Sequence, residues 1–164
     1  RAMEMVILTA CRSGEVRNAQ WHEFDFEERI WTIPAERMKS GVTHRVPLTE
    51  AMIDVLESVK GLDPIWVFKK GRGSGPLACN ALGRVLKKIK AGDCVPHGFR
   101  STFRTWAADA TDFPREVCEM ALAHGLRDRV EAAYNRAELI DKRRRLMQQW
   151  NDFLQSTIEQ QRAA

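Results

Sequence analysis

From Glu23 to Glu50 the chain reads EFDFEERIWTIPAERMKSGVTHRVPLTE, and here its apolar residues stop following a helical period. RIWTIP (29–34) and THRVPL (43–48) are short strand-like runs, with Ser40-Gly41 in the link between them. Two such runs joined by a turn-forming link make a hairpin. With EFDF (23–26) they make a small antiparallel sheet. On both sides of this island the apolar spacing is that of amphipathic helices. Met3, Val6, Ile7 and Ala10 mark a helix over 2–10, and Met52, Val55, Leu56 and Val59 mark one over 50–60. CRSGE breaks the first pattern, and Ser13 is placed to cap a short helix over 14–21. Leu82, Val85, Leu86 and Ile89 define another helix, and Phe99, Phe103, Trp106, Ala107 and Ala110 the next. Pro114 stands where a helix starts, ahead of Val117, Met120, Ala121 and His124. From about residue 129 the chain reads as helix again, with Leu146, Trp150, Phe153, Leu154 and Ile158 as its stripe. The fold class that follows is mainly α with one small antiparallel β-sheet (α+β).

Such a fold needs a core, and 44% apolar residues supply one while 29% charged residues solvate the surface. The 164 residues suit one domain, or a large domain with an appendage. No run approaches the ~18 apolar residues of a membrane span, and no charged-then-apolar leader opens the chain. The first helix begins without a capping residue, as expected of a fragment cut from a longer protein. The cysteines at 11, 79, 94 and 118 lack zinc-knuckle spacing and are expected to be reduced core thiols of a cytosolic protein. No His has Cys, Asp or Glu at ligand spacing, so no metal site is expected. A formal charge of +4 permits a nucleic-acid partner without requiring one.

Several cationic residues stand where they suit an anion. Arg12 precedes a helix start and Arg100 lies in the first turn of another. Free N–H groups and the helix dipole favour anions at such ends, and a guanidinium adds a fork matched to phosphate oxygens. Two of them suit one phosphate. Each also has an ordinary reading as half of an ion pair, with Glu15 the evident partner for Arg12. His97 is one turn ahead of Arg100, so both can face the same way. His124 falls on the Val117/Met120/Ala121 face and is expected to be buried, as a satisfied core histidine or as a site residue. His22 and His44 read as surface residues. Lys39 sits in the hairpin link, either as a solvated turn residue or as a mobile cation able to reach a cleft. Tyr134 is the only tyrosine, beside five Trp and seven Phe. A phenol is a poor nucleophile unless a base or a cationic pocket helps it. Taken alone it reads equally as an aromatic on a helix face.

In order along the chain these residues stand in ACRSGE, MKSG, HGFR, LAHG and AAYNRAE. The set resembles the signature of the tyrosine recombinases, the phage integrase family. That signature is an Arg in a G-x-R-x-x-E-like turn, a hairpin Lys, an H-x-x-R box, an L-x-H motif and a C-terminal Tyr. The resemblance spans residues 12 to 134. QWHEFDFEERIWTIPAERMKSGVTHRVPLTE and YNRAELIDKRRRLMQQW look most like integrases of prophages and genomic islands. Cys11 and Ala123 depart from the small residue or glycine frequent at those places.

The resemblance implies a catalytic domain over 1–164, with 136–164 a C-terminal helical segment and the family's N-terminal arm-binding and core-binding domains absent. It implies that Tyr134 attacks a DNA phosphodiester, leaving a 3′-phosphotyrosyl link that a DNA 5′-hydroxyl later resolves. Arg12 and Arg100 would neutralise the non-bridging oxygens. Lys39 would protonate the leaving oxygen. His97 would assist as acid/base and orient the phosphate, and His124 would donate it a hydrogen bond. Glu15 would orient Arg12 or brace the fold. No cofactor, ATP or metal is implied. The implied partners are double-stranded DNA at attachment sites, a homotetramer on that DNA and DNA-bending accessory proteins, with no membrane, in the cytoplasm at the nucleoid. C-terminal segments in this family often exchange between protomers. DNA affinity comes mostly from phosphate contacts, for which Lys69, Lys70 and Arg72, Lys87 and Lys88, and Arg104 are candidates, each with a solvated-face reading beside it. Lys142 to Arg145 form a further basic run beside the last helix's apolar stripe. Alternatives are a type IB topoisomerase-like enzyme, a DNA-binding module without recombination activity, and a metal-dependent nuclease, for which clustered carboxylates are missing.

Overall fold

The structure, a computed structural model, describes residues 1–124 and 136–163. It is mostly helical, with one three-stranded antiparallel sheet. In chain order come α1 (Ala2–Thr9), α2 (Ser13–Arg17), β1 (Phe24–Asp25), β2 (Ile30–Ile33), β3 (His44–Pro47), α3 (Glu50–Glu57), α4 (Ala81–Lys88), α5 (Gly98–Ala110), α6 (Arg115–Ala121) and α7 (Arg136–Ala163). Single 3₁₀ turns lie at Trp21–Glu23 and Ala35–Arg37. The expected helix from about 129 is described only from Arg136, and Tyr134 lies outside the described residues.

The sheet runs β1-β2-β3. Phe24 pairs with Trp31, and Trp31 with Val46, so one aromatic and β-branched face is stacked across all three strands. The Phe24 and Trp31 rings lie nearly parallel, 5.2 Å apart. Between β2 and β3 the link closes at Ser40-Gly41, where Gly41 adopts a φ of 65°. That left-handed backbone favours glycine, which has no Cβ to clash. Buried Met38 pins the link to the core just before Lys39.

At the centre is α1, which packs against α2, α3, α4, α5 and α7. It buries Ala2, Met3, Met5 and Val6, so its apolar residues face several neighbours rather than one stripe. At its end Ala10 takes a left-handed φ of 51°, a helix stop more usual for glycine. The last helix closes the other side of the core. Trp150 meets Phe103 of α5 edge-on at 5.4 Å and Trp106 at 5.0 Å, and its indole N–H donates to Ile7 O at 2.9 Å. Beside it, buried Asn151 donates to Leu8 O at 3.2 Å and joins the Thr49 hydroxyl. So α7 is tied to α1, α5 and the start of α3 of its own chain; Phe153 packs on Trp106 and Trp150 with one side open, and Ile158 is exposed.

Several sequence expectations are corrected. The second helix spans 13–17 rather than 14–21, and Arg12 occupies the cap position instead of Ser13. Glu15 supports this start: its carboxylate returns to accept the Arg12 backbone N–H at 2.7 Å, the carboxylate half of a capping box. His44 is buried, not on the surface, because β3 turns it inward toward α6 and α7. Burial, with Arg143 and Arg100 nearby, pushes its imidazole down to about 3. Of the cysteines only Cys11 and Cys118 are core thiols; Cys79 and Cys94 are exposed, on the solvent side of the 69–98 segment. In α4, Leu82 and Leu86 are buried, but Val85 and Ile89 face outward, since only a narrow stripe of this short helix meets the core.

The basic run on α7 also finds structural partners. Arg143 is buried and donates to Arg45 O at 2.7 Å. Arg144 donates to Glu28 O at 3.2 Å and Arg29 O at 3.4 Å, carbonyls of the β1–β2 turn. No helix among the described residues is long and apolar enough to cross a membrane.

Candidate active site

Four helix ends converge on one side of the molecule. Arg12 is the cap of α2, Arg100 lies in the first turn of α5, and Arg100 reaches the C-terminal ends of α1 and α6. Its guanidinium donates to Ala10 O, the cap of α1, and to Leu122 O, the cap of α6, at 2.6 Å for the latter. Carbonyls at helix C-termini lack intrahelical partners and carry the negative end of the dipole. A buried guanidinium is matched to such a place, and Arg100 is only 4% exposed. Burial, and next the facing Cys11 and Arg12, set its environment; the net effect holds its pKa below the ordinary arginine value. The same burial pushes the Cys11 thiol up to about 12, aided by the Glu15 charge.

In front of these ends opens a cleft of about 610 Å³, lined by Arg12, Ser13, Gly14, Glu15, Asn18, Gln20, Arg37, Lys39, Trp66 and His97. Arg12 is held on its inner edge by Glu15, which takes its Nη1 at 2.9 Å as well as its backbone N–H. Glu15 is nearly buried while Arg12 keeps a quarter of its side chain open to the cleft. The Lys39 and His97 side chains are exposed and make no hydrogen bond or ion pair with the described residues. His97 caps α5 and lines the cleft, while Arg100 one turn on is buried outside that lining.

His124 follows α6 and the left-handed residue Ala123, whose φ of 51° turns the chain out of the helix. The expectation that His124 is buried is therefore corrected: its side chain is 43% exposed. Its Nε2 lies 3.4 Å from Arg100 Nη2, and its Nδ1 lies 2.6 Å from Glu119 Oε2. Arg12, Lys39 and His97 thus share the cleft, and Arg100 and His124 meet beside it.

Sequence reasoning missed three supporting groups. Arg37 pairs with buried Glu23 and also donates to Glu15 O, which ties the Lys39-bearing link to the Arg12 turn. Glu23 is satisfied further by Trp31 Nε1 at 3.0 Å. Glu119, on α6, holds both His124 and Arg104. Glu23 and Arg37 stand fourteen residues apart, and no local spacing signals that pairing. Glu119 had a weak signal, a carboxylate on the helix that leads into the L-x-H motif. Of the proposed DNA contacts, Lys70, Arg72, Lys87 and Lys88 are exposed and Lys69 is half-buried. Trp66, on the cleft wall, is three residues ahead of that first cluster. Arg104 is engaged by Glu119 through Nε at 2.9 Å and Nη2 at 2.8 Å. Among the described residues no group of three or more His, Cys, Asp or Glu side chains is arranged to hold a metal ion.

The sequence model of the phage integrase family matches residues 1–139, a span that contains every group just described except most of α7. The chain belongs to the phage integrase family. It is 36% identical over 154 residues to prophage integrase IntA of Escherichia coli (strain K12), covering 92% of this chain and 37% of that protein. It is 36% identical over 162 residues to the integrase of Shigella phage Sf6, covering 96% of this chain and 42% of that one. The chain therefore spans about two fifths of the length of these relatives. Among solved structures, the integrase of transposon Tn1549 in complex with circular intermediate DNA aligns with a TM-score of 0.53 and 21% identity. That alignment covers 80% of this chain and 55% of the other, and it shows a shared fold. The integrase fold thus explains the mainly helical chain with its small sheet.

Proposed function

We propose that residues 1–164 are the catalytic domain of a site-specific tyrosine recombinase that cuts and rejoins double-stranded DNA for integration or excision of a mobile element. The observation that carries this is the convergence of Arg12, Lys39 and His97 on one open cleft, with Arg100 and His124 hydrogen-bonded beside it. In this reading a phosphodiester enters the cleft and Arg12 meets its non-bridging oxygens, with Arg100 behind. The Tyr134 hydroxyl gives its proton to His97 as its oxygen attacks phosphorus; a P–O bond forms, and the bond to the 5′-oxygen breaks. Lys39 gives its proton to that leaving oxygen; an exposed ammonium with no competing partner among the described residues is suited to do so. His97 orients the phosphate and His124 adds a contact to it. The phosphotyrosyl ester keeps the bond energy, and an incoming 5′-hydroxyl reverses the step with a new strand, with no metal or ATP required.

The naming of relatives as integrases supports this reading, and the Tn1549 complex with DNA supports a duplex substrate. A homotetramer on paired attachment sites, DNA-bending accessory proteins, and action in the cytoplasm at the nucleoid belong to the same proposal. So do the phosphate contacts from Lys69, Lys70, Arg72, Lys87 and Lys88. Arg104 is the weakest of the DNA candidates because its fork is already occupied.

The test is a nicked suicide duplex carrying the element's attachment site, incubated in EDTA and resolved on a denaturing gel. The expected result is a covalent protein–DNA band that disappears in Tyr134→Phe. Bound site DNA with no covalent band, or a band that survives Tyr134→Phe, overturns the proposal.

A further inference from the structure

Glu119 is the one carboxylate that touches the His124 imidazole among the described residues, and the family reading gives it no part. Its side chain is 17% exposed. Oε1 accepts both Nε and Nη2 of Arg104, Oε2 stands 2.6 Å from His124 Nδ1, and Arg115 Nε is 3.9 Å away. Burial pushes the Glu119 carboxyl up, but hydrogen bonds from His124 and Arg104 outweigh it and hold it below the usual carboxylate range. An ionised carboxylate only accepts, so the hydrogen between these groups is on Nδ1. On the other edge of the ring, Arg100 Nη2 faces Nε2 at 3.4 Å. A guanidinium nitrogen only donates, so Nε2 presents a lone pair. Neighbours on α6 and α5 therefore select the same tautomer from opposite sides.

We propose that Glu119 is a positioning residue that fixes His124 as its Nδ1–H tautomer, with Nε2 aimed at the space beside Arg100, and that braces the ring against α5 through Arg104. This rests on the reading of His124 as a site residue. It also revises the donor role that the family resemblance implies. In the neutral ring Nε2 accepts; it gives a hydrogen bond to a phosphate oxygen only after taking up a proton. Arg104 and Arg115 are the other charged groups at the Glu119 carboxylate. A carboxylate that orients an imidazole from behind is a common device for fixing which nitrogen faces the chemistry.

The test combines a spectroscopic and a kinetic readout. Imidazole ¹⁵N spectra of the chain, with His124 assigned by His124→Asn, are expected to show a majority Nδ1–H tautomer. Glu119→Gln is expected to lose that majority, and Arg104→Met to keep it. In the suicide-duplex assay at saturating DNA, Glu119→Gln is expected to lower the cleavage rate about tenfold to a hundredfold, the size usual for groups that hold a functional imidazole. DNA affinity is expected to change less than about twofold, and Glu119→Asp to recover part of the rate. A majority Nε2–H tautomer in the unsubstituted chain overturns the proposal, whether or not the variants fold. So does a Glu119→Gln chain with unchanged tautomer. Absence of covalent product from the unsubstituted chain strikes the recombinase reading instead, while the spectra still decide whether Glu119 governs the ring.

Discussion

Cations inside the cleft and beside it are used in opposite ways. Beside it, Arg100 is buried and its guanidinium donates to the carbonyls that end α1 and α6. Inside it, Lys39 and His97 are exposed, and their side chains have no partner among the described residues. Arg12 stands between, half held by Glu15 and half open. A buried cation whose guanidinium is spent on helix-end carbonyls fixes geometry. One with donors to spare can follow a phosphate or release a proton. The difference predicts that substitutions at the two places separate stability from chemistry.

The largest separation is expected at Lys39. Lys39→Ala should slow strand cleavage about 10²- to 10⁴-fold, the usual contribution of a general acid, while stability stays within about 0.5 kcal/mol, as for other exposed sites. Single-turnover cleavage and a thermal melt on the same sample check this. A comparable fall in melting temperature would sink the distinction. Arg100→Ala should do the reverse first: it leaves two helix-end carbonyls without a donor, at about 1–3 kcal/mol each, so the melt moves before any kinetic question arises. Arg100→Lys is expected to recover little, because an ammonium lacks the fork that spans both carbonyls.

A third prediction concerns pH. His44 is held at about 3 in the folded chain against an ordinary 6.5, chiefly by burial. Between those values the unfolded chain binds a proton that the folded chain refuses. Stability is therefore full above 6.5 and is lost as pH falls toward 3, by at most about 1.4 kcal/mol per pH unit from this one group. Denaturant melts from pH 7 to 4 should show a shallower decline in His44→Asn; equal slopes would remove His44 from the account. The smallest effects are expected among the basic surface groups. Lys87→Ala or Lys88→Ala should leave the melt unchanged and reduce the salt slope of DNA binding by about one unit. Arg144→Ala should leave that slope alone, since its donors already serve the β1–β2 turn.

The helices and the hairpin were legible because each follows from a local period: Met52, Val55 and Leu56 share a face, and RIWTIP and THRVPL pair in register. The errors came where burial depends on a distant neighbour. Val85 and Ile89 follow the same period as Leu82 and Leu86, but only half of that face meets the core. His44 belongs to a strand whose inner face is decided by α6 and α7, far along the chain. His124 follows the stripe of α6 but leaves it at Ala123, where the backbone turns left-handed.

By itself the sequence carries Arg12, Lys39, His97, Arg100, His124 and Tyr134 in an order that resembles the family signature. It also determined the alternation of helix and hairpin, because those periods are local. Only the tertiary structure decided which cations are spent and which are left over. Arg100 meets a carbonyl ninety residues away in sequence and Arg143 one ninety-eight away. Such partners are chosen by how helices pack, and nothing in the spacing around an arginine announces them.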